Sequence, residues 1–70
     1  PMLAASLLLV EDDPMLGDAV AQGLRLDGHA VDWARDGAVA RALLKEHHYA
    51  AVLLDLGLPD DSGLAILRAL

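Results

Sequence analysis

The sequence predicts an α/β domain built on a doubly wound parallel sheet. Two short apolar runs, Leu7-Leu8-Leu9-Val10 and Val52-Leu53-Leu54, have strand length and no polar alternation, as strands covered on both faces do. The segments between apolar runs carry helical 3/4 spacing. Both runs also stop at carboxylates, the first at Glu11-Asp12-Asp13 and the second at Asp55. Parallel sheets gather their ligands at the carboxyl ends of strands, so these acids stand where a site is expected.

The elements follow in chain order. The first strand is placed at Ser6–Val10. Asp13 suits an N-cap and Pro14 the first helical position, which opens helix one. Leu16, Ala19, Val20, Gly23 and Leu24 give it an apolar stripe, with Asp18, Gln22 and Arg25 on the wet side. Gly28 ends it in a left-handed C′ position. The second strand, Ala30–Ala34, alternates Val31 and Trp33 with Ala30, Asp32 and Ala34, a pattern of partial burial. Asp36-Gly37 starts helix two, about residues 38–47, with Val39, Ala40, Leu43 and Leu44 inward. The third strand is residues 50–54. A loop at 56–63 leads to a helix start at 64–70.

Strands one and three read as central and strand two as an edge, which gives the spatial order 2-1-3. That is the first part of the flavodoxin-like order 2-1-3-4-5, with strands four and five absent. Right-handed crossovers then place helices on both faces. The switch point falls between strands one and three, and brings Glu11, Asp12 and Asp55 together. Strand three is left with an unpaired apolar edge, which favours self-association.

Composition narrows the class. The chain has 70 residues and 56% of them are hydrophobic, with no cysteine and no phenylalanine. Below about 70–80 residues one core rarely supplies more than about 3–5 kcal/mol. So much apolar surface in so short a chain reads as a partial domain spanning residues 1–70, whose core is completed by something else. The absence of cysteine excludes a disulfide staple and a thiolate zinc site. A net charge of −6 argues against nucleic-acid contact by this segment. Residues 2–10 lack the basic flank of a signal peptide, and no run reaches membrane-spanning length. The expected location is the cytoplasm.

The chemistry rests on the three acids. Close carboxylates raise one another's pKa unless a cation compensates. A hard divalent ion such as Mg²⁺ takes oxygen ligands and is held by one or two carboxylates plus a phosphate. An aspartate beside it is suited to nucleophilic attack on phosphorus, because the metal offsets repulsion between two anions.

Leu8-Leu9-Val10-Glu11-Asp12-Asp13-Pro14 and Val52-Leu53-Leu54-Asp55-Leu56-Gly57-Leu58-Pro59-Asp60-Asp61-Ser62-Gly63 resemble the receiver domain of bacterial two-component response regulators. Asp36-Gly37 resembles the family's turn before its second helix. The resemblance covers Ser6 to Leu70. The wording after Asp55 is similar to the OmpR/PhoB-type branch, whose members add a DNA-binding domain. It implies that Asp55 is the phosphoacceptor, and that Asp12 ligates Mg²⁺ directly while Glu11 acts through water. The Gly57 backbone carbonyl would be a further ligand, and Pro59 and Gly63 would shape the loop. The donor would be a phosphohistidine on a sensor histidine kinase, and the protein a switch rather than an enzyme with turnover. The family also uses a Ser or Thr after strand four and a Lys after strand five. Lys45, on helix two, does not match the latter. Mg²⁺ binding and phosphorylation of the 70-residue chain alone are therefore expected to be weak.

Two rival readings remain. One is a dimerisation module with an idle acid pocket. The other is a haloacid dehalogenase-type phosphatase, which needs Asp-x-Asp after its first strand. Neither Glu11-Asp12-Asp13-Pro14 nor Asp55-Leu56-Gly57 supplies that pattern. His47-His48 have no third ligand at metal spacing and suit a helix C-terminus. His29, Trp33 and Tyr49 read as turn and packing residues.

Overall fold

A computed structural model of the chain describes residues 4–55 together with Ile66 and Arg68. The expected loop at 56–63, and with it Gly57, Pro59 and Gly63, lies outside the described residues. So does most of the expected helix at 64–70, although Ile66 and Arg68 are helical.

The elements run β1 (Ser6–Val10), α1 (Pro14–Leu26), β2 (Ala30–Ala34), α2 (Gly37–Glu46) and β3 (Ala51–Leu54). The three strands form a parallel sheet in the order β2-β1-β3, as the apolar patterning predicts. In register, Leu9 stands opposite Trp33 on one side and Leu53 on the other, while Val10 stands opposite Ala34 and Leu54.

Leu7, Leu8, Leu9 and Val10 are all buried, because β1 is covered on both faces. Leu8 and Val10 pack with Ala34, Ala40 and Ile66 on the α2 side. Leu7 and Leu9 pack with Ala21, Val31, Val20, Leu24 and Trp33 on the α1 side. One strand thus anchors two cores.

Both helix starts follow from local chemistry. The Asp13 carboxylate accepts from the Met15 and Leu16 amides, and Asp36 accepts from the Val39 amide. At the other end of α1, Gly28 has φ +93°. Its amide bonds the Arg25 carbonyl and the His29 amide bonds the Leu24 carbonyl, a paired closure of the last turn. The exposed edge at β2 is partly covered by Arg25, whose guanidinium donates to the Val31 carbonyl.

Four expectations need correction. The inward face of α1 is Gly17, Val20, Ala21 and Leu24, whereas Leu16 is half exposed and Ala19 and Gly23 are exposed. The spacing is right, but the helix is rotated so that its small residues, Gly17 and Ala21, meet the sheet. On α2, Val39 faces outward, and Gly37 and Ala40 are the buried residues. That helix also begins at Gly37 and ends at Glu46, since His47 has already turned extended. Finally, β3 starts at Ala51, with Ala50 bonded through its amide to the Ser6 carbonyl.

Candidate metal centre

The carboxyl ends of β1 and β3 lie side by side, and the chain leaves both at acids. Val10, the last residue of β1, accepts a bond from the Asp55 amide at 2.9 Å. The Glu11 amide in turn donates to the Ala34 carbonyl at 3.0 Å, one residue beyond the β1–β2 register. The sheet therefore sets the backbones of Glu11 and Asp55 directly. A cleft between them is lined by Leu9, Val10, Val20, Leu53 and Leu54 as well as the two acids.

Glu11, Asp12 and Asp55 each offer a carboxylate oxygen, and these atoms lie within 4.8 Å of one another. Glu11 and Asp55 are half-buried and Asp12 is exposed. Three of the predicted site residues are thus brought together. Asp13, next in the chain, is turned away to cap α1, as its place before Pro14 predicts.

The electrostatics carry the mark of crowding. The strongest single influence on the Glu11 carboxyl is the Asp13 amide, which bonds Oε2 at 3.1 Å and pulls its pKa down. Desolvation, the hydrogen bond and charge of Asp55, and the hydrogen bond of Asp12 together outweigh it and leave Glu11 above its ordinary value. Like charges held this close favour a proton or a cation among them. The donor set is all oxygen, and it suits a hard divalent ion such as Mg²⁺ better than a thiophilic metal. The structure meets that requirement with three carboxylates at the end of a rigid sheet.

One neighbour of the site escaped the sequence reading. The Trp33 indole Nε1 donates to the Glu11 carbonyl at 2.9 Å, although Trp33 reads as packing alone. The available signal was the alternation of β2, which puts Trp33 on the α1 face, together with the need of a covered indole N–H for a partner.

Known proteins share this sequence pattern and fold. The family model described as "Response regulator receiver domain" matches residues 7–70. The chain is 48% identical over 64 residues to the response regulator protein PmrA of Pseudomonas aeruginosa, covering 91% of the chain and 29% of PmrA. It is 40% identical over 62 residues to the virulence transcriptional regulatory protein PhoP of Salmonella typhimurium, covering 89% of the chain and 28% of PhoP. The chain therefore spans under a third of the length of these curated relatives. Among solved structures, a response regulator receiver domain from Methylobacillus flagellatus superposes with a TM-score of 0.89 at 31% identity. That match covers 96% of this chain and 57% of the other. The non-phosphorylated HemR receiver domain from Leptospira biflexa gives 0.87 at 36% identity, over 91% of this chain and 52% of its own. Fold, acid cluster and sequence converge, and the chain belongs to the response regulator receiver domain family of two-component signalling.

Proposed function

We propose that Asp55 is the phosphoacceptor of this receiver and that Glu11 and Asp12 hold Mg²⁺ beside it. The observation that carries the reading is the convergence of three carboxylates from two strand ends within 4.8 Å. An Asp55 carboxylate oxygen attacks the phosphorus of a phosphohistidine on a sensor histidine kinase. The phosphorus–nitrogen bond breaks, the imidazole leaves with the electron pair and takes a proton, and an aspartyl phosphate remains. Bound Mg²⁺ supplies charge neutralisation between the anionic nucleophile and the anionic donor. Glu11 and Asp12 would orient that ion, and the Gly57 carbonyl would add a ligand by family resemblance.

The protein would be a cytoplasmic signalling switch whose output reaches DNA through a domain outside this segment, as the names of its transcriptional relatives suggest. The family's hydroxyl and lysine positions follow strands four and five and are not among residues 1–70. The isolated chain is therefore expected to bind Mg²⁺ and take phosphate weakly.

Titrating the chain with Mg²⁺ and then beryllofluoride tests this, with amide resonances as the readout. Shifts centred on Glu11, Asp12 and Asp55 are expected, and Asp55→Asn should abolish the beryllofluoride response. An unaltered response in that variant would exclude Asp55 as the acceptor.

A second reading has one observation in its favour. Among the described residues β3 pairs only with β1, and Val52, Leu53 and Leu54 are only half-buried. Self-association along that edge would cover them.

A further inference from the structure

We propose that Trp33 is a positioning residue for the acid cluster: its indole N–H holds the peptide that joins Glu11 to Asp12 and so aims the Asp12 carboxylate at Asp55. The inference rests on the Mg²⁺ reading of the pocket and adds to it a residue outside the acids. It begins with where the sheet ends. The last ladder bond on this side is from the Glu11 amide to the Ala34 carbonyl. Past it the chain bends at Asp12, which has no sheet partner to set its direction.

Two contacts replace the ladder there. The Glu11 carbonyl, part of the peptide ahead of Asp12, accepts from Trp33 Nε1 at 2.9 Å. The Asp13 amide, part of the peptide after Asp12, donates to Glu11 Oε2 at 3.1 Å. A residue has two soft backbone dihedrals, and fixing the peptide planes on either side of it fixes both. The Cα–Cβ direction of Asp12 follows. Of the two anchors, one is itself a carboxylate of the cluster, which a bound cation competes for. The indole is the anchor that a cation leaves in place.

The ring is built in rather than merely accommodated. A Cβ at Gly17 would overlap the indole at Cζ2 and Cε2, so only glycine at this point of α1 admits it. The Arg35 guanidinium lies over the ring, 4.7 Å from its centroid, and adds a cation–π contact. Helix, sheet and cation thereby hold the N–H on the Glu11 carbonyl. Phenylalanine would lose the bond and leave part of the ring's space empty, whereas a bicyclic isostere without the N–H loses the bond alone.

The test separates the bond from the packing. Trp33 is replaced by 3-benzothienylalanine, which keeps the bicyclic ring and exchanges N–H for sulfur, and in parallel by phenylalanine (Trp33→Phe). Mg²⁺ affinity is read from the Asp12 and Asp55 amide shifts, and folding from the thermal midpoint. The isostere should weaken Mg²⁺ by about three- to tenfold, the size of one lost hydrogen bond. It should broaden or move the Asp12 amide and leave the midpoint nearly unchanged. Affinity equal to that of the unmodified chain would overturn the role of Trp33 while leaving the pocket intact. Absence of any Mg²⁺ response in the unmodified chain would overturn the reading of the pocket itself, and this inference with it.

Discussion

At Glu11 the two backbone polar groups and one carboxylate oxygen are all engaged, by Ala34, Trp33 and Asp13. The acids at the site were legible because carboxylates directly after apolar strands have few structural reasons to be there. Their support was less legible, since an indole on an alternating strand carries the same pattern whether it packs or donates. Tyr49 makes the same point on the other side of β2. Its hydroxyl donates to the Asp32 carboxylate at 2.7 Å and closes the segment after α2 against the sheet edge. Desolvation first, then the bond to Asp32 and its negative charge, push the phenol up to about 12. The unfolded chain releases this proton nearer its ordinary value of about 10. The contact therefore contributes its full stability below that pH, and the contribution is lost as the pH rises through about 12. Tyr49 is the sole tyrosine, so phenolate absorbance reads it directly. The folded chain should ionise well above the unfolded one, and Asp32→Asn should narrow the gap without closing it, since desolvation remains. Coincident titrations in the unsubstituted chain would contradict the contact.

Among the elements, helix boundaries were legible wherever a cap chemistry fixed them. Asp13-Pro14, Asp36-Gly37 and Gly28 all act as their residue types predict. The rotation of α1 was not legible, because two overlapping stripes share the same 3/4 spacing. Leu16-Ala19-Val20-Gly23-Leu24 looks more apolar, but Gly17-Val20-Ala21-Leu24 allows the helix to approach Trp33 and the sheet. Close approach of backbone to ring decided between them, and a side-chain scale does not register that. Asp13 caps α1, so Asp13→Ala should cost about 0.5–2 kcal/mol of stability. Denaturant melts would record that loss, and the amide shifts at saturating Mg²⁺ should keep their pattern at Asp12 and Asp55. Loss of metal binding without loss of stability would reverse the assignment.

For the whole molecule, one buried strand organises everything described. β1 contributes Leu8 and Val10 to one core, Leu7 and Leu9 to the other, and its end positions the acids. The strand order was legible because burial on two faces and burial on one leave different apolar patterns. Side-by-side placement of the acids followed from that order, whereas their separation depended on register, which only the structure gives. The β3 edge is where association would act on the whole molecule. If it associates, light scattering of the chain should give a mass that rises with concentration, and a charged substitution at the exposed Ala51 should return it to a monomer. A monomer at every concentration would remove that second reading.

On the proposed function, Asp55, served by Glu11 and Asp12, takes a phosphoryl group with Mg²⁺. Acetyl phosphate treatment followed by borohydride reduction converts an aspartyl phosphate to homoserine, which peptide mapping locates. Homoserine is expected at position 55, at low yield in this chain and only when Mg²⁺ is present. Homoserine at Asp13 or Asp36, or at position 55 with equal yield after chelation of the metal, would contradict it.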